Sequence, residues 1–332
     1  MFILETYGMA VLFCVITMIC WGSWANTQKL AASNWRFELF YWDYVIGILL
    51  LSIFFACTLG SYGQGGRSFL EDLRQSDASH LLSAATGGVI FNLANILLVA
   101  AIAIAGMSVA FPVGIGIALV LGVVVNYIDE PSGNPFLLFG GVLLIALAII
   151  LNANAYRRLS SGHNTKSGKG LLLSVAAGLL MGFFYRFVAQ AMFSDFSHPE
   201  AGKLSPYTAM LFFSIGVLLS NIVFNSYIMK KPVTGEPVTY RQYFGGGLRN
   251  HLTGILGGIV WCVGMSFSII ASGKTSPAIA YGLGQGATVV AAIWGIYIWK
   301  EFKNAPKPVP MLLNLMLLLY GAGLALIVLT KI

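Results

Sequence analysis

The chain has 332 residues, 58% of them hydrophobic and only 9% charged, a balance that excludes an ordinary soluble domain and suits an integral membrane protein. Its 19 Lys and Arg outnumber its 12 Asp and Glu, but the basic residues sit in short connectors, where positive-inside sorting accounts for them and nucleic-acid binding does not. Four cysteines, Cys14, Cys20, Cys57 and Cys262, lie in apolar runs without CxxC spacing, which reads as buried free thiols and excludes a disulfide framework or a cysteine metal site.

Ten runs reach the roughly 20 mainly apolar residues needed to cross a hydrocarbon core. Span 1, residues 7–29, exceeds a signal-peptide core and lacks a basic leader, so it is expected to be retained. Its Trp21 and Trp24 share a face and offer flat apolar surfaces to a bound ring, or else serve as interfacial belt residues. Span 2, residues 38–60, opens with Glu38 and Asp43. Asp43 is the acid deepest in any span, which makes it the candidate carrier of a coupling proton with Glu38 beside it; the alternative is a cap or an ion pair with Lys29 or Arg36. Span 3, residues 81–105, carries Asn92 and Asn95 on one face. The tight Gly106-Met107-Ser108 break separates it from span 4, residues 108–127, which holds Gly114 and Gly116. Span 5 covers 134–155.

Span 6, residues 169–193, contains Arg186 with Gln190 one turn on. An isolated Arg there would cost at least about 2.5 kcal/mol, so it either pairs with an acid such as Asp195 or Glu5 or turns its fork, helped by Gln190, to substrate oxygens. Span 7, residues 206–229, bears a stripe of Ser214, Asn221 and Asn225 that reads as glue between helices. Spans 8 and 9, residues 251–272 and 276–299, are split by the polar stretch at 272–277. Tyr281, Gln285 and Thr288 then share a face of span 9 at i, i+4 and i+7. Span 10 covers 309–330.

One offset of 170 residues relates the two parts of the chain. Gly87-Gly88 falls on Gly257-Gly258, Gly114 on Gly284 and Gly116 on Gly286, four coincidences where chance gives about one. A weaker echo at offset 160 pairs Trp21-Gly22 with Met181-Gly182. The expected architecture is therefore an all-α membrane protein of ten transmembrane helices arranged as two inverted five-helix repeats, 1–160 and 168–332, since an odd number of spans per unit reverses the second copy. Spans 4 and 9 should meet across the pseudo-twofold axis, with Gly114, Gly116, Gly284 and Gly286 as helix-contact glycines permitting close approach and local unwinding. No strand precedes these glycines, which excludes a dinucleotide-binding reading. Thirteen Lys and Arg fall in connectors after odd-numbered spans and five on the other side. That bias places both termini outside the cytoplasm in a multi-pass protein of the cytoplasmic membrane.

The stretches Glu5 to Gly8, Cys20-Trp-Gly-Ser-Trp24, Tyr41-Trp-Asp-Tyr44, 87–95 and 106–127 resemble the drug/metabolite transporter superfamily, in particular its glucose/ribose porter and ureide permease branches. The resemblance covers the first half by motif and the second by architecture. It implies an EamA-like fold of two inverted five-helix repeats, with a central cavity framed by spans 1 to 4 and 6 to 9 and with spans 5 and 10 outside, often in a dimer contact. Substrates it implies are monosaccharides such as glucose, ribose and rhamnose, or ureides such as allantoin with related nucleobases. Cation exporters of the superfamily carry an acid in mid-span 1; residues 6–31 here contain none.

The expected activity is secondary transport of a small polar solute by alternating access: proton-coupled monosaccharide uptake first, ureide or nucleobase uptake as the close alternative. The candidate substrate contacts are Trp21, Asn92, Asn95, Arg186, Gln190, Tyr281 and Gln285, and the expected partners are the solute, membrane lipids and a second copy through spans 5 and 10. A membrane enzyme or a sensor without a solute path is the competing class. No cofactor or metal is expected, because His80, His163, His198 and His251 lie in loops or at span ends and form no catalytic or metal-ligand cluster with the acids.

Overall fold

The computed structural model describes residues 1–63, 65–159, 168–303 and 305–332, with Met107, Ser108 and Leu159 described in backbone alone. His163 and Lys166, and the seam between the two expected units, lie outside the described residues. Within them ten helices are long and apolar enough to cross a membrane: Tyr7–Leu30, Phe37–Cys57, Ala78–Ala105, Val109–Asp129, Pro135–Arg158, Gly168–Ala191, Pro206–Lys230, Leu248–Thr275, Pro277–Ile298 and Pro308–Lys331. They match the ten expected spans and keep those numbers below.

Both termini share one face of the bundle with the connectors after even-numbered spans. The Met1 ammonium donates to the Gly65 carbonyl at 2.7 Å, and Asn134 N–H donates to the Thr330 carbonyl at 2.9 Å. This is called the terminal face, and the other the opposite face. Two short helices absent from the sequence reading cap the bundle, Phe69–Gln75 before span 3 and Tyr240–Phe244 before span 8. Each begins with a capping box, Ser68 with Glu71 and Thr239 with Gln242, so two otherwise orphaned backbone donors are satisfied at each start.

Span 3 packs along spans 6 and 7, and span 8 along spans 1 and 2. Span 4 lies on spans 6 and 9, span 9 also touches span 1, and spans 5 and 10 pack together at one side. Glycines set the closest approaches: a Cβ on Gly88 would collide with the Phe213 carbonyl of span 7, and one on Gly258 with the Tyr44 carbonyl of span 2. The breaks between spans 3 and 4 and between spans 8 and 9 are tight turns in which Gly106 has φ 77° and Ser276 has φ 118°. Glycine tolerates that region freely, whereas serine is strained there.

Two expectations change. Span 4 does meet span 9, but the helix-contact glycines do not form that contact. Gly114 faces Leu98 and the Ser174 carbonyl, Gly284 faces Trp21 and Thr17, Gly286 faces Met18 and Leu324, and a Cβ on Gly116 would meet nothing within 4 Å. The span 4–9 contact is instead made by the Tyr281 ring lying on Gly122 and by Gly282 against Val123. Among the cysteines, Cys14 and Cys262 are buried as expected, but Cys20 is only half-buried and Cys57 is exposed.

Candidate functional site

At the opposite face Asp43 lies two turns into span 2 and is only 2% exposed. Its expected partners, Lys29 and Arg36, do not reach it. Tyr243 O–H donates to Oδ1 at 2.7 Å, and His251 Nδ1 lies 3.0 Å from both carboxylate oxygens. Burial, and then Asp43 as acceptor, push the Tyr243 phenol up from its ordinary value, so it stays protonated and donates. Trp35 closes this cluster, edge-on to His251 with ring centroids 5.3 Å apart. His251, set aside in the sequence as a span-end residue, is thus brought onto the deepest acid.

Glu38, one turn earlier, is held by Arg36 through two bonds of 2.5 and 3.1 Å. Arg36 also donates to the carbonyls of Thr234 and Glu236 in the connector after span 7. Glu38 therefore fastens the mouth of a cavity of about 410 Å³ between spans 2, 3 and 7.

The middle of the bundle holds a stacked aromatic group. Trp261 of span 8 lies parallel to Trp21 with centroids 6.1 Å apart, and Phe91 and Phe213 lie 4.4 and 5.8 Å from it. Tyr44 approaches the same tryptophan and stacks near Trp24 and Tyr41. Tyr41 O–H donates to Asn92 Oδ1 at 2.9 Å and accepts from Asn95 Nδ2 at 3.0 Å. Asn92 Nδ2 continues to Ser220 Oγ at 2.9 Å, so Asn92 is consumed in joining spans 2, 3 and 7.

Among the described residues the buried polar atoms without a partner include Trp21 Nε1, the Tyr44 hydroxyl, Asn225 Oδ1 and both amide atoms of Asn221. The Asn221 side chain does not glue helices together as expected. Its stripe neighbours do, with Ser214 bonded to Ser52 at 2.7 Å and Asn225 donating to the Glu38 carbonyl at 2.9 Å. Asn221 is thereby held facing span 2 between them, its own amide free. A buried unpaired polar group costs about 1–3 kcal/mol, so packing alone does not account for each of these side chains.

Span 9 adds two expected residues in different ways. Tyr281 is fully buried and donates to the Met181 and Ala118 carbonyls at 3.0 and 3.2 Å, locking span 9 to spans 4 and 6. Gln285 sits at a break, where the helix stops at Gly284 and resumes at Ala287. Thr288, on the same face, bonds the Tyr320 hydroxyl and lines a cavity between spans 1, 4, 5 and 9.

Arg186 and Gln190 are brought together at the terminal face, but on an acid the sequence reading passed over. Arg186 holds Asp129 through bonds of 2.6 and 2.9 Å, and Gln190 Nε2 donates to the same carboxylate at 2.9 Å. Neither Asp195 nor Glu5 is the partner: Asp195 pairs with His198 at 2.7 Å. The signal available was Asp129 closing span 4, since span 4 and span 6 both end at this face. No group of three or more His, Cys, Asp or Glu suited to a metal ion occurs among the described residues.

A bundle of ten apolar spans with an aromatic middle, buried unpaired polar atoms within it and ion pairs toward both faces has the build of a multi-pass membrane carrier. The chain belongs to the ureide permease family, whose model matches residues 40–169 and 157–330. It is a membrane transporter of small polar solutes and not an enzyme. It is similar to Ureide permease 1 and Ureide permease 2 of Arabidopsis thaliana, each 22% identical with 98% of this chain and 98% of the relative covered. Probable ureide permease A3 of Vigna unguiculata is 21% identical over 92% of this chain and 98% of its own length. A protein of known crystal structure shares the fold at a TM-score of 0.64 and 16% identity, covering 96% of both chains.

Proposed function

We propose that this chain carries a neutral, planar amide-bearing solute of the ureide or nucleobase type, bound between the aromatic faces of the central layer. The observation that carries the reading is the free Asn221 amide, fully buried with donor and acceptor both unpaired. A side-chain amide of that kind matches the paired N–H and C=O edge of a ureide or uracil ring. Trp21 Nε1 and the Tyr44 hydroxyl add donors for further ring carbonyls, and Trp21 and Trp261 supply stacking faces. The relatives' names favour the same class, and the expected monosaccharide gives way to it. Asn92, Tyr281 and the paired Glu38 act as framework in this reading; Trp21, Asn95 and Gln285 remain as solute contacts.

Alternating access is proposed between two inverted five-span units, residues 1–160 and 168–332. Supporting this, exchanging span n with span n+5 maps the packing onto itself: 3 on 6 and 7 becomes 8 on 1 and 2, and 4 on 6 becomes 9 on 1. Gly88 and Gly258 occupy equivalent close approaches, and the positive-φ breaks at Gly106 and Ser276 also stand 170 apart. The opposite face is proposed to be cytoplasmic, from the basic connectors, in the cell membrane, and the exposed apolar side of spans 5 and 10 is proposed as the dimer contact. Coupling to protons is assigned to Asp43 with His251, the carboxyl–imidazole pair that spans 2 and 8 would separate on opening.

The site is tested by tryptophan fluorescence of the purified protein titrated with uracil, allantoin and glucose. Saturable quenching by the first two, weakened at least tenfold in Asn221→Leu and in Trp21→Phe, supports the assignment. Quenching by glucose alone, or unchanged binding in Asn221→Leu, overturns it.

A further inference from the structure

A second polar cavity, separate from the central layer, opens at the terminal face between the ends of spans 4, 6 and 9, with a volume of about 230 Å³. Its lining includes Asn126, Asp129, Glu130, Gln190, Ser194 and Lys203. Asn126 is 1% exposed. Its Nδ2 donates to the Gly122 carbonyl at 2.7 Å, while Oδ1 has no donor among the described residues. Glu130, one turn further along and on the same side of the helix, receives one side-chain bond among the described residues, from Ser194 at 3.2 Å. Burial pushes its carboxyl up from the ordinary range, which a further donor to the ionised form would relieve.

Charge and size narrow what fits. Asp129 is paired with Arg186 and Glu200 with Lys203, and Glu130 is opposed by Lys331 and Lys203. Three acids thus face three bases, and the surroundings hold no net charge to attract an ion. The volume is also several times the roughly 30 Å³ of one water, too roomy for a single bare cation. The unmet capacity is for N–H donors, at Asn126 Oδ1 and Glu130, with Gln190 and Lys203 as donors beside them.

We propose that this cavity is an outer reception subsite for the transported solute, in which Asn126 Oδ1 and the Glu130 carboxylate accept the N–H groups of a neutral amide or ureide ring before it moves on to the central layer. The proposal rests on the amide-solute reading above. It makes Asn126 and Glu130 specificity-determining residues on one side of the membrane only, and Asn126 a residue kept at a cost to stability.

The test is half-saturation measured separately from each side, using labelled allantoin and uracil with proteoliposomes of defined orientation. Asn126→Ala and Glu130→Gln are expected to raise half-saturation about tenfold for solute offered at the terminal face and to leave the opposite-face value unchanged. A merely structural role would shift both sides together; an equal shift, or none, overturns the proposal. If wild-type protein transports neither probe, the amide-solute reading fails on its own. The subsite is then judged by melting of the detergent-purified protein with the same two compounds: a rise lost in Asn126→Ala supports it, and no rise in wild type overturns it.

Discussion

Asp43 offers the sharpest quantitative test, because its carboxylate is almost wholly removed from solvent and depends on two side chains from another part of the chain. His251→Ala takes away the imidazole that meets both oxygens at 3.0 Å and leaves a buried carboxylate with one donor. Leaving a buried acceptor without one of its partners in this way costs about 1–3 kcal/mol, and more if it is charged. Tyr243→Phe removes one bond of 2.7 Å to the same acceptor, worth about 1.5–3 kcal/mol for a hydrogen bond to a charged group. Asp43→Asn keeps the shape and an acceptor while removing the charge, so it should cost less than His251→Ala. The double variant Asp43→Asn/His251→Ala should be no less stable than His251→Ala alone, because no unpaired charge remains. Reversible thermal or urea unfolding of the purified protein in detergent measures the set. Strict additivity of the two substitutions would refute the reasoning, since it would mean the carboxylate and imidazole do not interact. The transport readout is separate: Asp43→Asn should abolish uphill accumulation and spare exchange, and unchanged accumulation would remove Asp43 from the coupling role.

Further outcomes follow from the same geometry. Gly88→Ala and Gly258→Ala should prevent stable insertion or lower melting severely, as each Cβ meets a carbonyl oxygen of the facing helix, whereas Gly116→Ala, with open space around it, should leave melting within about 0.5 kcal/mol of wild type. Ser276→Gly should stabilise by about 1 kcal/mol, because relief of a φ of 118° outweighs the few tenths lost when Gly replaces a serine cap. For Glu130 the pH dependence has a definite sign. A buried carboxyl with a raised folded pKa contributes stability in full below the ordinary value of about 4.3, and loses it as pH rises through the raised value. Melting of wild type should therefore fall over that window more than melting of Glu130→Gln, and parallel curves would contradict the burial argument.

The ten spans were legible because each is one long apolar run, and lipid leaves a helix as the only way such a run can satisfy its backbone. The breaks at Gly106 and Ser276 were readable too, from small and polar residues punctuating those runs. What the pattern could not supply was pairing between runs. Asp43 was singled out correctly as buried, but its partner His251 is 208 positions away and looked like an ordinary helix-end residue. Asp129 was overlooked for the same reason, and Arg186 was given to nearer acids. The repeated glycines were recognised, yet which helix each one faces depends on rotation about the helix axis. So Gly88 and Gly258 proved to be the tight contacts, while a Cβ on Gly116 would meet nothing within 4 Å. Asn221 shows the converse limit: a polar stripe on span 7 does suggest glue, and only the placement of Ser52 and Glu38 shows that its middle member is left free. The two short capping helices had a readable signal in Ser-x-x-Glu and Thr-x-x-Gln, obscured because attention to hydropathy passes over connectors.

The most direct test of the central claim is counterflow exchange in proteoliposomes, with labelled allantoin, uracil and glucose offered against the same unlabelled solutes. Rapid exchange of allantoin or uracil is expected, lost in Asn221→Leu, with no exchange of glucose. Exchange of glucose alone, or of none of the three by a well-folded protein, would contradict that claim.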